Sequence, residues 1–139
     1  MGIIRTYNEL KLLRTFDERY EYLRLNGKVS DLTFGFDRYL NQVFYKSGIW
    51  QKRRRDIIVR DLGCDLGLDG YEIHSGIIVH HMNPIKLEDI RDRTDYLLNP
   101  NYLICTCLRT HNAIHYGNSS TNIITERHRG DTCPWKLRR

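Results

Sequence analysis

The chain runs to 139 residues, 40% of them apolar, with nine tyrosines, four phenylalanines and two tryptophans; at that size a chain buries about two thirds of its unfolded surface and can form one compact domain without staples. A formal charge of +5 favours a polyanionic partner. No apolar run of about 18 residues is present, which argues against a membrane-spanning helix, and MGIIRTYNELK lacks the apolar stretch of an export signal, so the four cysteines (64, 105, 107 and 133) are expected to be reduced thiols in a cytoplasmic protein.

Thr6-Tyr7-Asn8-Glu9 and Thr15-Phe16-Asp17-Glu18 both carry the Thr-x-x-Glu spacing of a helix N-terminus, where the hydroxyl accepts from an otherwise unpaired N–H. The first predicts a short helix to Leu13. The second predicts a helix with Phe16, Tyr20 and Leu23 on one face, stopped by Asn26-Gly27. Phe36, Tyr39, Leu40, Val43 and Phe44 recur at helical spacing and predict a third helix over 36–46, interrupted by Ser47-Gly48. A fourth, about 50–60, points Trp50, Ile57 and Ile58 inward and leaves Arg53, Arg54 and Arg55 largely outward. Residues 61–70 hold three glycines and read as turns. Tyr71–Ile73 and Ile77–His81 are expected to pair as strands around Ser75-Gly76, with Asn83-Pro84 ending the second. The charged stretch 85–99 reads as loop with a little helix, 102–107 as strand, and His111–Tyr116 as helix with Thr110 as N-cap and Gly117 as stop. The fold class is therefore α+β: a helical N-terminal region (1–49), a mixed domain (50–117) and a basic tail (118–139).

Chemistry concentrates in the histidines. His111 and His115 are four residues apart on a short helix, so both project from one face and can chelate one ion. His80 and His81 end a strand, where successive side chains point to opposite sides. Only one of that pair can face a given metal, and the other is free to act as a base. His74 and His128 have no such partners and read as surface or packing residues. The cationic run Lys52–Arg55 with Arg60 suits a phosphate backbone, although the same run also fits a solvated helix face.

Residues 50–117 resemble a His-Asn-His (HNH) endonuclease domain. The resemblance is carried by Trp50 and Arg54, Val59-Arg60-Asp61 leading to Cys64, Val79-His80-His81 with Pro84, Leu103-Ile104, and Thr110-His111-Asn112-Ala113-Ile114-His115-Tyr116-Gly117. FGFDRYLNQ (34–42) and GDTCPWK (130–136) are similar to the flanks of small HNH proteins of tailed phages and prophages. The resemblance implies a ββα-metal core, a hairpin and a helix around one divalent ion (Mg, Mn, Ni or Zn), held by His80, His111 and His115. It makes His81 the general base; the cationic run with Arg53, Arg54, Arg55 and Arg60 is expected to contact the DNA backbone, Arg54, which matches the family, being alternatively packed inside. It also implies phage packaging proteins as further partners and the host cytoplasm as location if the chain is phage-encoded.

Two departures from the family pattern stand out. The family's central Asn, which orients the base, falls nine residues before the first helical His; here that position is Tyr102, and the nearest substitute is Asn101, then Asn99 or a backbone carbonyl. Many relatives also hold a structural zinc with two Cys-x-x-Cys pairs. The corresponding residues here are Cys64 with Gly67 and Cys107 with Thr110, and two thiols cannot close a tetrahedral site, so both cysteines are expected to be small core residues. The expected function is metal-dependent DNA cleavage in phage DNA processing or packaging. The alternatives are a non-cleaving DNA- or partner-binding module on the same core, and a zinc-stabilised structural protein using the same histidines.

Overall fold

The computed structural model describes residues 3–25 and 37–116, the side chains of 37–41, 87 and 116 excepted. Among these residues, seven helices surround a two-stranded antiparallel sheet: α1 (Tyr7–Leu10), α2 (Phe16–Leu23), α3 (Asp37–Lys46), α4 (Gly48–Arg60), β1 (Ile78–His81), α5 (Leu87–Asp92), α6 (Asp95–Leu98), β2 (Leu103–Thr106) and α7 (Leu108–Tyr116). Short 3₁₀ turns cover Asp65–Gly67 and Pro100–Tyr102. This is an α+β arrangement, and no helix is long and apolar enough to cross a membrane among the described residues.

The helix starts follow from local chemistry. Thr6 and Thr15 accept from the N–H groups of Glu9 and Glu18 at 3.2 and 3.1 Å, and Ser47 caps α4 by accepting from Trp50 at 3.3 Å. Each such cap is worth about 1 kcal/mol. The expected stop at Asn26-Gly27 lies outside the described residues, as do Phe36, Gly117, His128, Cys133 and the tail. Of the apolar residues at helical spacing on α3, Val43 is exposed and Phe44 beside it is buried.

The sheet differs from expectation. Tyr71–Ile73 does not pair with Ile77–His81; it lies against 63–65, through Asp65 N–H to Tyr71 O (2.8 Å) and Ile73 N–H to Gly63 O (2.9 Å). The partner of β1 is β2, in the register Ile78↔Thr106, Val79↔Cys105, His80↔Ile104, His81↔Leu103. Burial explains the choice. Glu72, His74, Ser75 and Gly76 are not buried, so a local hairpin there would leave apolar β1 uncovered, whereas all four residues of β2 are buried. Closing the longer loop adds little entropy cost, because that cost grows only logarithmically with length.

Strand alternation then divides the interior in two. Val79, Leu103 and Cys105 face a cluster with Phe44, Trp50, Ile57, Ile90 and Leu97 from α3–α6 and Ile85 from the segment before α5. Ile104 and Met82 face the opposite cluster, with Leu10, Phe16, Tyr20, Leu23 and Ile114 from α1, α2 and α7 and Leu66 from the Asp65–Gly67 turn. Fully burying one such Leu or Ile is worth about 1.5–3 kcal/mol. Residues 3–25 thus complete the core instead of decorating it, and the boundary drawn at 49/50 falls inside α4.

Candidate metal centre

His80 projects from β1 onto α7, where His111 and His115 stand one helical turn apart. The ring centroids are 5.1 Å (His80–His111), 5.0 Å (His80–His115) and 4.5 Å (His111–His115) apart, and one ligating atom from each lies within 4.8 Å of the others. α7 begins at Leu108, earlier than expected, so Thr110 is inside the helix; its N–H meets Cys107 Sγ at 3.5 Å. The i, i+4 spacing of the two helical histidines is unaffected.

His80 is 2% exposed and its Nε2 has no hydrogen-bond partner among the described residues. A buried polar atom without a partner costs about 1–3 kcal/mol, and a cation at that nitrogen removes the cost. Burial, reinforced by the neighbouring His111 and His115, holds His80 well below its ordinary pKa. Burial and then His115 lower His111 to about 4. Both imidazoles are therefore neutral at pH 7, the form that ligates a metal. These residues fit a divalent ion; the donor set alone does not choose which.

His81 points to the other side of β1, as alternation requires. Its ring stacks on Trp50 (centroids 5.1 Å, interplanar angle 19°). Nε2 lies 3.0 Å from Leu97 O and Nδ1 lies 3.4 Å from the Tyr45 hydroxyl. Burial lowers its pKa to about 4, against a smaller opposing effect of the Leu97 carbonyl.

Asn101 is not brought to His81. Its Oδ1 accepts from Asn8 N–H at 3.0 Å, tying α1 to the Pro100–Tyr102 turn, and Asn99 Oδ1 accepts from Asn101 N–H at 2.9 Å. The contact expected of an Asn is made by a backbone carbonyl, that of Leu97.

The four arginines separate. Arg60 turns inward: Nε and Nη2 bind the buried Asp61 carboxylate at 2.8 and 3.2 Å, Nη1 and Nη2 donate to Pro100 O and Leu103 O at 2.7 Å each, and the guanidinium sits 3.7 Å over the Tyr7 ring. Asp61 in turn accepts from Cys105 N–H at 3.0 Å. Arg60 is a structural clamp, which corrects its expected place on DNA. Arg54 donates to Ile77 O at 2.7 Å, the packed alternative. Arg53 pairs with Asp56 at 3.2 Å, and Arg55 is exposed.

Cys64, Cys105 and Cys107 are buried free thiols. Asp65, fully buried, accepts from Thr110 Oγ1 (2.6 Å), Cys107 N–H (3.2 Å) and Cys107 Sγ (3.4 Å). A hydrogen-bonded carboxylate thus joins the 3₁₀ turn to the start of α7. Sequence reasoning passed over Asp65, Tyr45 and Leu97; nothing in their local spacing marks them, since each acts on a residue at least 16 positions away. No family model, curated protein or solved structure matches the chain.

Proposed function

We propose that the chain is a metal-dependent DNA endonuclease built on a ββα-metal core of the HNH kind. The observation that carries this reading is the convergence of His80, His111 and His115 from β1 and α7, with the buried His80 Nε2 lacking any other partner among the described residues. The order β1, β2, α7, with the cluster between strand and helix, supports the ββα part.

His80, His111 and His115 would hold the ion, which when bound stabilises negative charge developing on the scissile phosphate and the leaving oxygen. His81 supplies the base: its neutral imidazole takes a proton from the attacking water, whose oxygen bonds to phosphorus as the bond to the 3′ oxygen breaks. A lowered pKa keeps that imidazole unprotonated at neutral pH. The exposed Arg55 and the half-exposed Arg53 offer cations for phosphate contacts, which give affinity with little sequence choice.

A second reading, a DNA- or partner-binding module that does not cleave, is favoured by one observation: both His81 nitrogens already have partners, and Asn101 is engaged elsewhere. Incubating supercoiled plasmid with purified protein and Mg, Mn, Ni or Zn separates the two. Metal-dependent nicking, abolished by chelator and by His80→Ala, is expected. Plasmid bound but left intact with every metal would favour the second reading.

A further inference from the structure

We propose that the centre takes a phosphate whose charge is shared between the bound ion and the guanidinium of Arg5, a residue of the segment before α1. Backbone and side chain of Arg5 are both fixed. Its N–H donates to Asn83 Oδ1 at 2.8 Å, and Asn83 Nδ2 donates back to Arg5 O at 3.0 Å. Asn83 is buried and stands two residues beyond β1, so the segment is pinned to the end of the strand that carries His80. The side chain donates from Nε to Tyr22 O at 3.0 Å and from Nη2 to Arg24 O at 3.1 Å, carbonyls at the end of α2 that lack a partner within the helix. The next residue, Leu25, donates its N–H to Ile114 O at 2.8 Å, and the Tyr20 hydroxyl donates to Ala113 O at 3.2 Å. The guanidinium is thus placed by the same contacts that join the end of β1 to the last turn of α7, the elements that present His80 and His115. Its charge reaches His80 and adds to the groups that keep that imidazole neutral.

These contacts hold the charge without neutralising it. Arg24 is paired with Glu21 and Arg60 with Asp61, whereas the Arg5 side chain meets only carbonyl oxygens among the described residues, and Nη1 has no acceptor there. No carboxylate joins the histidine cluster among the described residues either. Three neutral imidazoles leave a divalent ion its full double charge, and Arg5 adds a third beside it. Like charges repel, the more so in a half-buried site, so Arg5 lowers the metal affinity of the centre when no anion is present. An anion reverses the sign of both interactions. One phosphate oxygen fits the open position on the ion, and another fits the guanidinium, whose planar donors match phosphate. Capping α2 accounts for the carbonyl contacts; it does not account for an unneutralised cation beside a cation site. His111 and His115 are only partly buried, which leaves the cluster open to a ligand from solvent. That the phosphate belongs to a DNA backbone rests on the nuclease reading; the shared hold on the anion does not.

Arg5→Gln removes the charge and Arg5→Lys keeps it. Calorimetry with Zn alone should show severalfold tighter binding to Arg5→Gln than to the wild type, because a like charge has gone, and wild-type affinity in Arg5→Lys. Inorganic phosphate should bind the Zn-loaded wild type and not the metal-free one. It should bind Zn-loaded Arg5→Gln about 10–100-fold more weakly, the equivalent of one charge-assisted hydrogen bond, and Arg5→Lys should recover part of the loss. In the ¹⁵N-labelled wild type the Arg5 Nε resonance, assigned by its loss in Arg5→Lys, should shift when phosphate is added to the Zn-loaded protein. Phosphate binding that ignores Arg5→Gln, or an Arg5 resonance that ignores phosphate, overturns the proposal. Zn binding no tighter in a folded Arg5→Gln than in the wild type does so too, and would make Arg5 a tie for α2 only. If Arg5→Gln loses its fold, the wild-type Arg5 resonance decides alone. A wild type that holds phosphate in this way and never nicks plasmid would sink the nuclease reading and leave the anion site standing.

Discussion

Acid should unfold the metal-free protein earlier than its carboxylates alone would, and His81 offers the cleanest measure. Its ring is 9% exposed and its pKa falls from 6.5 to about 4 on folding. The folded state therefore disfavours the imidazolium. The associated stability is fully present above pH 6.5, falls as pH drops through the window between the two values, and is lost below the folded pKa. At about 1.4 kcal/mol per pKa unit, His81 contributes on the order of 3 kcal/mol, a large part of the 5–15 kcal/mol typical of a whole domain. His80 and His111 shift in the same direction and steepen the loss. Urea denaturation with chelator present, followed by circular dichroism in steps from about pH 7.5 to 4.5, gives the slope of stability against pH. His81→Gln should flatten it by one proton, about 1.4 kcal/mol per pH unit. Equal slopes in wild type and variant would refute the burial argument for this ring.

Arg60→Ala should destabilise by about 3–5 kcal/mol, because it strands the buried Asp61 carboxylate. Arg55→Ala should leave stability within about 0.5 kcal/mol and weaken duplex DNA binding, lowering the salt slope by about 0.9 for each phosphate the protein no longer neutralises. Urea melts and fluorescence anisotropy read the two, and a stable Arg60→Ala protein would remove the clamp. A cobalt-loaded sample should hold one ion per chain and show no intense sulfur-to-metal absorption, because Asp65, Cys107 and Thr110 already satisfy one another; such a band would put thiolates on a metal.

What could be read in advance was what depends on neighbours in sequence. The threonine caps at 6 and 15 act within three residues, and the i, i+4 pair on α7 follows from helical pitch alone. Opposite facing of His80 and His81 needed only that β1 be a strand. The partner of β1 was not readable, because the competing local hairpin has acceptable turn chemistry and loses only when the two-sided burial of β2 is known. Charge was readable and direction was not. Arg60 and Arg55 look alike in a cationic run, yet the backbone of 100–103 and the Asp61 carboxylate draw one of them inside. Asn101 lies nearest the position at which the nuclease resemblance expects an Asn. One residue along the turn sends its side chain to α1, and the His81 contact passes to a carbonyl that no residue-type pattern encodes.

Metal binding and cleavage followed on the same samples test the central claim most directly. Calorimetry with Mn or Zn should give one ion per chain, and the rate of plasmid nicking should rise with the occupancy of that one site and level off when it is full. His111→Ala should weaken binding by more than about 100-fold, the upper range for removing a group that merely supports a ligand, and shift the cleavage curve with it. An ion that binds as tightly in His111→Ala as in the wild type, or nicking that rises with metal independently of that site, would contradict a nuclease centred on His80, His111 and His115.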